Sequence, residues 1–197
     1  MKTIQLSNDV IVTDPCYTED TWCLARFSDV LPGTYKCYTE HDSSTDMITM
    51  LRVTHMDYAA GKESRLLYEC AAYIGVDSGQ AGIFCMTSYR DDSYDIPIPE
   101  DKSPDWIVDD GPTEGEPGQY WYSRVSAHTF TNYNWGAYDR GTVSRSGWGD
   151  GMYPVTVAKV DGKIVSIQIQ YLFDEDDREI DESVFADLDP DFERSTT

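Results

Sequence analysis

Residues 153–160 and 163–172 are two runs of alternating apolar and polar character joined by Asp161-Gly162. An Asp-Gly link between alternating runs is the strongest short-range signal for an antiparallel hairpin, because both central residues of a type I′ turn need positive φ. Val165, Ile167, Ile169 and Tyr171 fall on one face of the second run, while Ser166, Gln168 and Gln170 fall on the other, which is expected to meet water. A hairpin is marginal by itself, so this one demands further strands.

Those strands are legible upstream. Residues 4–13 read as a first strand closed by the Asp14-Pro15 turn, and residues 34–39 and 47–55 pair as a hairpin across the polar turn 41–46. Residues 66–76 are apolar enough to be buried on both faces, and the chain re-enters a strand at 82–86 after a glycine-rich stretch. Residues 18–27 open with Thr18 and two acids and carry Trp22, Ala25 and Arg26 at helical spacing, which predicts one short helix. Residues 56–65 read as a loop. The fold class is therefore mainly β: a single-domain antiparallel sandwich or strongly curved sheet of roughly seven to nine strands, with one short helix and an acidic C-terminal tail.

Two segments stand apart by composition. Residues 91–119 hold five of the nine prolines and the acids Asp109, Asp110, Glu114 and Glu116, and read as an insertion within a β-rich domain spanning 1–173. Residues 174–197 open with Asp174, Glu175, Asp176 and Asp177 and read as a solvated tail, since such composition buries too little surface to offset its ordering entropy. This acidic run is not a calcium loop of the EF-hand type, whose sixth place must be glycine and here is Glu179.

The formal charge of −21 over 197 residues opposes direct binding to nucleic acid or to an anionic membrane, and favours a basic protein surface as partner. No apolar stretch approaches the ~20 residues of a membrane helix, and the N-terminal residues lack the apolar core of a signal peptide. A soluble, cytoplasmic protein is the expectation. Five cysteines at irregular spacing fit neither a disulfide framework nor a zinc site and read as reduced thiols.

Chemistry concentrates in three polar knots: Thr13-Asp14-Pro15-Cys16-Tyr17, the stretch from Gly75 to Phe84 containing Asp77, Ser78 and Gln80, and Ser146-Gly147-Trp148-Gly149-Asp150-Gly151. If the flanking strands are neighbours, Asp14, Asp77 and Asp150 meet at one sheet end, where carboxylates could hold Mg²⁺ or Ca²⁺ or share acid–base work in a metal-dependent hydrolase. The plainer reading is that each aspartate caps its own turn. Cys16 with His55 as nucleophile and base lacks any local motif, and an inert buried thiol explains Cys16 better. The aromatic runs Tyr120-Trp121-Tyr122 and 130–138, with Arg124, Arg140 and Arg145, could wall a nucleotide pocket; ordinary core packing is the alternative.

The three knots, quoted together as VTDPCY, GVDSGQAGIF and GWGDGMYPV, resemble a group of uncharacterised proteins carried by phages and prophages of Gram-positive bacteria. The resemblance spans residues 10–172 and leaves out the tail. It implies a genomic setting and no activity. Small acidic phage-borne proteins of this kind are similar to inhibitors of bacterial defence. That similarity implies a non-enzymatic inhibitor, imitating DNA, of a CRISPR or other host nuclease or nucleic-acid-binding complex, acting without a cofactor in the host cytoplasm. Asp77, Ser78, Gln80, Trp148 and Asp150, with the acids of the insertion and tail, are the expected contacts. The alternative in the same class is a sponge for a small nucleotide signal.

Overall fold

A computed structural model describes residues 1–59, 65–101 and 117–171. Within them the chain forms eleven strands: β1 (Thr3–Leu6), β2 (Val10–Thr13), β3 (Ala25–Phe27), β4 (Gly33–His41), β5 (Ile48–His55), β6 (Tyr68–Val76), β7 (Gln80–Cys85), β8 (Trp135–Tyr138), β9 (Gly141–Arg145), β10 (Gly151–Val160) and β11 (Lys163–Gln170). Two α-helices accompany them, the single turn α1 (Met56–Ala59) and α2 (Gln119–Ala127), with short 3-10 turns at Met86–Ser88 and His128–Phe130.

The strands make two antiparallel sheets, one of six in the order β1-β4-β5-β11-β10-β6 and one of five in the order β3-β2-β7-β9-β8. Inner faces meet in one apolar core, with Tyr35, Leu51, Val53, Val155, Ile167 and Ile169 from the larger sheet against Val10, Val12, Ala81, Ile83 and Cys85 from the smaller. Full burial of each such aliphatic side chain contributes about 1.5–3 kcal/mol. The architecture is a sandwich. A third layer covers the smaller sheet: α2 lays Trp121 and Val125 on Ile11, Phe84 and Val143 of its outer face, with Tyr89 and Ile96 closing the cluster.

The predicted hairpin is present. β10 and β11 pair from Val155↔Ile169 to Val160↔Lys163, and Asp161 and Gly162 take φ of 51° and 75°, as a type I′ turn requires. β4 and β5 pair likewise. One face assignment needs correction: Ser166 is buried, not solvated, because its hydroxyl donates to the Val53 carbonyl at 2.8 Å and meets the hydroxyls of Thr54 and Tyr68, each at 2.9 Å.

Three further expectations are revised. Residues 18–24 form turns, and 25–27 are strand β3; the helix falls at α2 instead. The residue at the N-cap of α2 is Gly118, which has no side chain to cap it, and the carboxylate of Asp92 does so from a distant loop, accepting from the N–H groups of Gly118 (2.7 Å) and Trp121 (2.8 Å). The strand buried on both faces is β7, not β6: β7 is central in its sheet and lies between core and α2, whereas β6 is an edge strand whose first residues face out. Residues 4–13, expected as one strand, divide into β1 and β2, which belong to different sheets. Among the described residues no helix is long and apolar enough to cross a membrane. The proposed insertion is irregular over 91–101, and its remainder to residue 116, like the tail, lies outside the described residues.

Candidate functional site

Two crossings between sheets occur at one corner. The chain leaves β6 of the larger sheet and enters β7 of the smaller through Asp77-Ser78-Gly79; it returns from β9 to β10 through residues 146–150. The end of β2 lies alongside, with Thr13 paired to Gly82. The three knots of the sequence therefore converge.

Asp14 holds them. Its side chain is fully buried, and Oδ2 accepts the N–H groups of Asp77 (2.9 Å) and Ser78 (2.7 Å). Oδ1 accepts the Ser78 hydroxyl (2.7 Å) and the N–H of Cys16 (2.8 Å). The third knot joins the second through Asp150 Oδ1, which accepts the Gly79 N–H at 3.1 Å, and through the Ser146 N–H, which donates to the Gly79 carbonyl at 3.0 Å. Gly79 has φ of 66°, and a Cβ added there would meet nothing within 4 Å, so backbone conformation and not crowding requires glycine. Arg90 closes the assembly from behind, its Nη1 donating to the carbonyls of Pro15 and Cys16, each at 3.3 Å.

The corner frames a cleft of about 540 Å³. Ser78, Gly79 and Gln80 form one side, Ser146 to Gly149 a second, Thr129, Phe130 and Asn134 a third, and the tip of the β4–β5 hairpin a fourth. Arg145 enters from β9. Its Nε donates to the Thr129 carbonyl at 3.3 Å and its guanidinium lies 4.9 Å from the centroid of Phe130. Among the described residues Arg145 forms no salt bridge, although the chain is strongly acidic. Trp148, at the rim, is 66% exposed. Gln80 is buried and its Oε1 accepts the Thr129 hydroxyl at 3.2 Å. Asp46, at the hairpin tip, also lines the cleft, with a carboxylate oxygen 3.4 Å from His41 Nδ1.

The chain matches no known family model, no curated protein and no solved structure.

Of the residues the sequence singles out, Ser78, Gln80 and Trp148 line the cleft, and Asp150 fixes two of its walls to each other. Asp77 belongs to the same knot but lines a second cavity, of about 320 Å³. Asp109, Asp110, Glu114, Glu116 and Asp174 to Asp177 lie outside the described residues. Asp14, Asp77 and Asp150 are near one another through the backbone, yet among the described residues no group of three or more His, Cys, Asp or Glu is placed to hold a metal ion. Both oxygens of Asp14 are already occupied by donors that a cation would have to displace.

The aromatic reading divides. Phe130 and Asn134 do wall the cleft, whereas Trp121 is buried core, Arg124 is stacked 4.8 Å from the Tyr120 ring centroid, and Arg140 pairs with Asp139 at 3.2 Å. Cys16 is unsuited to attack: burial, then its hydrogen bond with Asp14, pushes the thiol up to about 12, so it stays protonated at neutral pH. His55 stacks edge-on with Tyr35 at 5.2 Å. The sequence carries no local signal for Arg90, Asp92 or the 45–48 hairpin tip, because each acts across a long loop closure.

A cleft with a guanidinium that has no carboxylate partner among the described residues, an exposed indole, backbone polar groups from two glycine turns and a buried amide has the composition of a small-molecule site: apolar walls with a few convergent polar groups.

Proposed function

We propose that this protein is a non-enzymatic binding protein that sequesters a small nucleotide-like anion in the corner cleft. The observation that carries the reading is Arg145, a cation without a carboxylate partner among the described residues, lining the same cleft as the exposed Trp148. A guanidinium complements a phosphate by charge and by its fork of donors, and an indole stacks on any planar base. Asp46, on the wall formed by the hairpin tip, offers an acceptor for base amino or ribose hydroxyl groups. Net charge opposes the ligand at long range, and Arg145 and Asp46 cancel in formal charge within the cleft, which places the burden on direct contact between the ligand and the Arg145 guanidinium. The resemblance to phage-borne proteins supports removal of a host defence signal as the purpose of such sequestration.

Calorimetry with a panel of cyclic and linear nucleotides tests it. Expected is one saturable site for at least one nucleotide, with a dissociation constant below ~10 µM, weakened tenfold or more by Arg145→Gln. Absence of heat from every nucleotide at ~1 mM overturns the reading.

A second reading is supported by the distribution of charge. Residues 172–197 carry eleven acids against two arginines, and residues 102–116 five acids against one lysine. Segments of this kind complement a groove lined by Lys and Arg, and inhibition of a host nuclease by that route weakens steeply with salt. A nuclease whose DNA binding is unchanged by the protein at low ionic strength would remove this second reading.

A further inference from the structure

The smaller cavity differs from the corner cleft in having a carboxylate and no cation among the described residues that line it. It opens beside the paired ends of β6 and β10, where Gly151 faces Val76, and has a volume of about 320 Å³. Gly75 lines it and packs closely on its neighbours: a Cβ there would lie 2.8 Å from the Cys23 sulfur and 3.4 Å from the Tyr17 hydroxyl. Its walls are Tyr17, Trp22 and Met152, and Trp22 is 66% exposed. Among the described residues that line it, Asp77 supplies the only charge, with no Lys, Arg or His.

The Asp14 staple fixes this geometry as well. It holds the Asp77 backbone N–H, so the carboxylate of Asp77 projects from a clamped residue and not from a free loop. Two aromatic rings, a thioether and one carboxylate without a counter-charge form a set that attracts an organic cation: the aromatic faces through their quadrupoles, sulfur by its polarisability and the carboxylate by charge. Desolvating the cation is offset by these contacts, and the field of a chain with charge −21 draws it in.

We propose that the cavity bounded by Tyr17, Trp22, Cys23, Gly75, Asp77 and Met152 is a binding site for an ammonium or guanidinium group carried on a flexible stem, distinct from the anion cleft and independent of it. The shared chemistry has two sources, a free polyamine or a Lys or Arg side chain presented by a protein.

The test follows the Trp22 indole N–H and the backbone amides of Gly75 and Gly151 by NMR as spermidine, and separately an N-acetylated arginine tripeptide amide, is added to the full chain. Saturable shifts confined to these signals support the site. A response to spermidine but not to the peptide assigns a free polyamine, and the reverse assigns a partner's side chain. Asp77→Asn keeps the backbone N–H that Asp14 needs and is expected to weaken binding about tenfold, with the Ser78 and Gly79 amide shifts unchanged to show that the knot is intact. Trp22→Ala, at an exposed position, is expected to weaken it several-fold. Shifts spread evenly over acidic residues, or affinity unaltered by Asp77→Asn in the intact fold, overturn the proposal.

Discussion

The carboxylate of Asp14 reaches across 64 positions of sequence to Ser78 and accepts both its backbone N–H and its hydroxyl, each at 2.7 Å. One side chain at the end of β2 thereby sets the turn by which the chain passes from one sheet to the other, and with it a wall of each cavity. Corners between packed sheets leave backbone donors without ladder partners, and a buried carboxylate answers several at once.

Asp14→Ala leaves those donors unpaired in a place water reaches poorly, at about 1–3 kcal/mol each for the worst placed. The expected loss is about 3 kcal/mol or more, read from urea denaturation, with Asp14→Asn intermediate because an amide has one acceptor oxygen where four donors converge. Ser78→Ala removes one bond and should cost about 1 kcal/mol. Equal small effects from all three would show that the corner is held by packing instead.

The two glycines that bracket the start of β7 should respond differently to alanine. Gly79 has open space but φ of 66°, so Gly79→Ala is expected to cost only about 1–2 kcal/mol of backbone strain. At Gly82 a Cβ would sit 2.2 Å from the Phe84 ring and 2.6 Å from the Thr142 carbonyl oxygen, so the strand pair β7–β9 must part. Gly82→Ala is expected to cost at least ~3 kcal/mol or to prevent folding. Thermal melts of the two variants, run side by side, make the comparison.

What was readable in the sequence was whatever closes locally. The β10–β11 hairpin has its whole signal in one short continuous stretch, and the β4–β5 hairpin nearly so. The three knots were readable as punctuation, but a glycine turn that makes a hairpin and one that crosses between sheets use the same residues, so the pairing of β7 with β2 and β9 was not. The helix was misplaced for a related reason. Residues 18–27 carry a local N-cap and helical spacing, yet the Gly75 N–H donates to the Cys23 carbonyl and Arg26 pairs in a sheet, so tertiary bonding overrides propensity. α2 carries no cap of its own and exists because Asp92 caps it from afar and Phe84 offers Trp121 a surface, with ring centroids 5.2 Å apart. The cleft was legible only in part: Ser78, Gln80 and Trp148 sit in conspicuous motifs, while the choice of Arg145 over Arg124 and Arg140 depends on which arginine finds a local partner first.

Thiol reactivity should separate the cysteines, all five of which are free. Cys16 and Cys37 are each pushed up to about 12, mainly by burial, and Cys70 is exposed on edge strand β6. With iodoacetamide on the native protein at about pH 8, Cys70 should be alkylated first and Cys16 should resist despite its partial exposure, because thiolate and not thiol is the nucleophile. Peptide mapping reads the order. Rapid modification of Cys16 would contradict its protonated state and reopen its candidacy as a nucleophile.

His128, in the turn that follows α2, gives the fold a defined acid sensitivity. It is buried, and burial, assisted by the charge of Lys2, lowers its pKa to about 4. An unfolded chain takes up this proton near pH ~6.5, whereas the folded site refuses it until about 4, so between those values the unfolded state binds more protons and stability falls as pH drops. The contribution is intact above ~6.5 and shrinks by about 3 kcal/mol by pH ~4. Carboxylates titrate over part of the same range, so the informative quantity is the difference between wild type and His128→Gln. Urea midpoints at about pH 7 and about pH 4.5 should show a smaller acid-induced drop in the variant, which has lost the group that the folded state holds neutral. Identical drops in both proteins would mean that His128 accepts its proton in the folded state, and that the pocket formed by Gly136 and Tyr138 is wetter than its packing indicates.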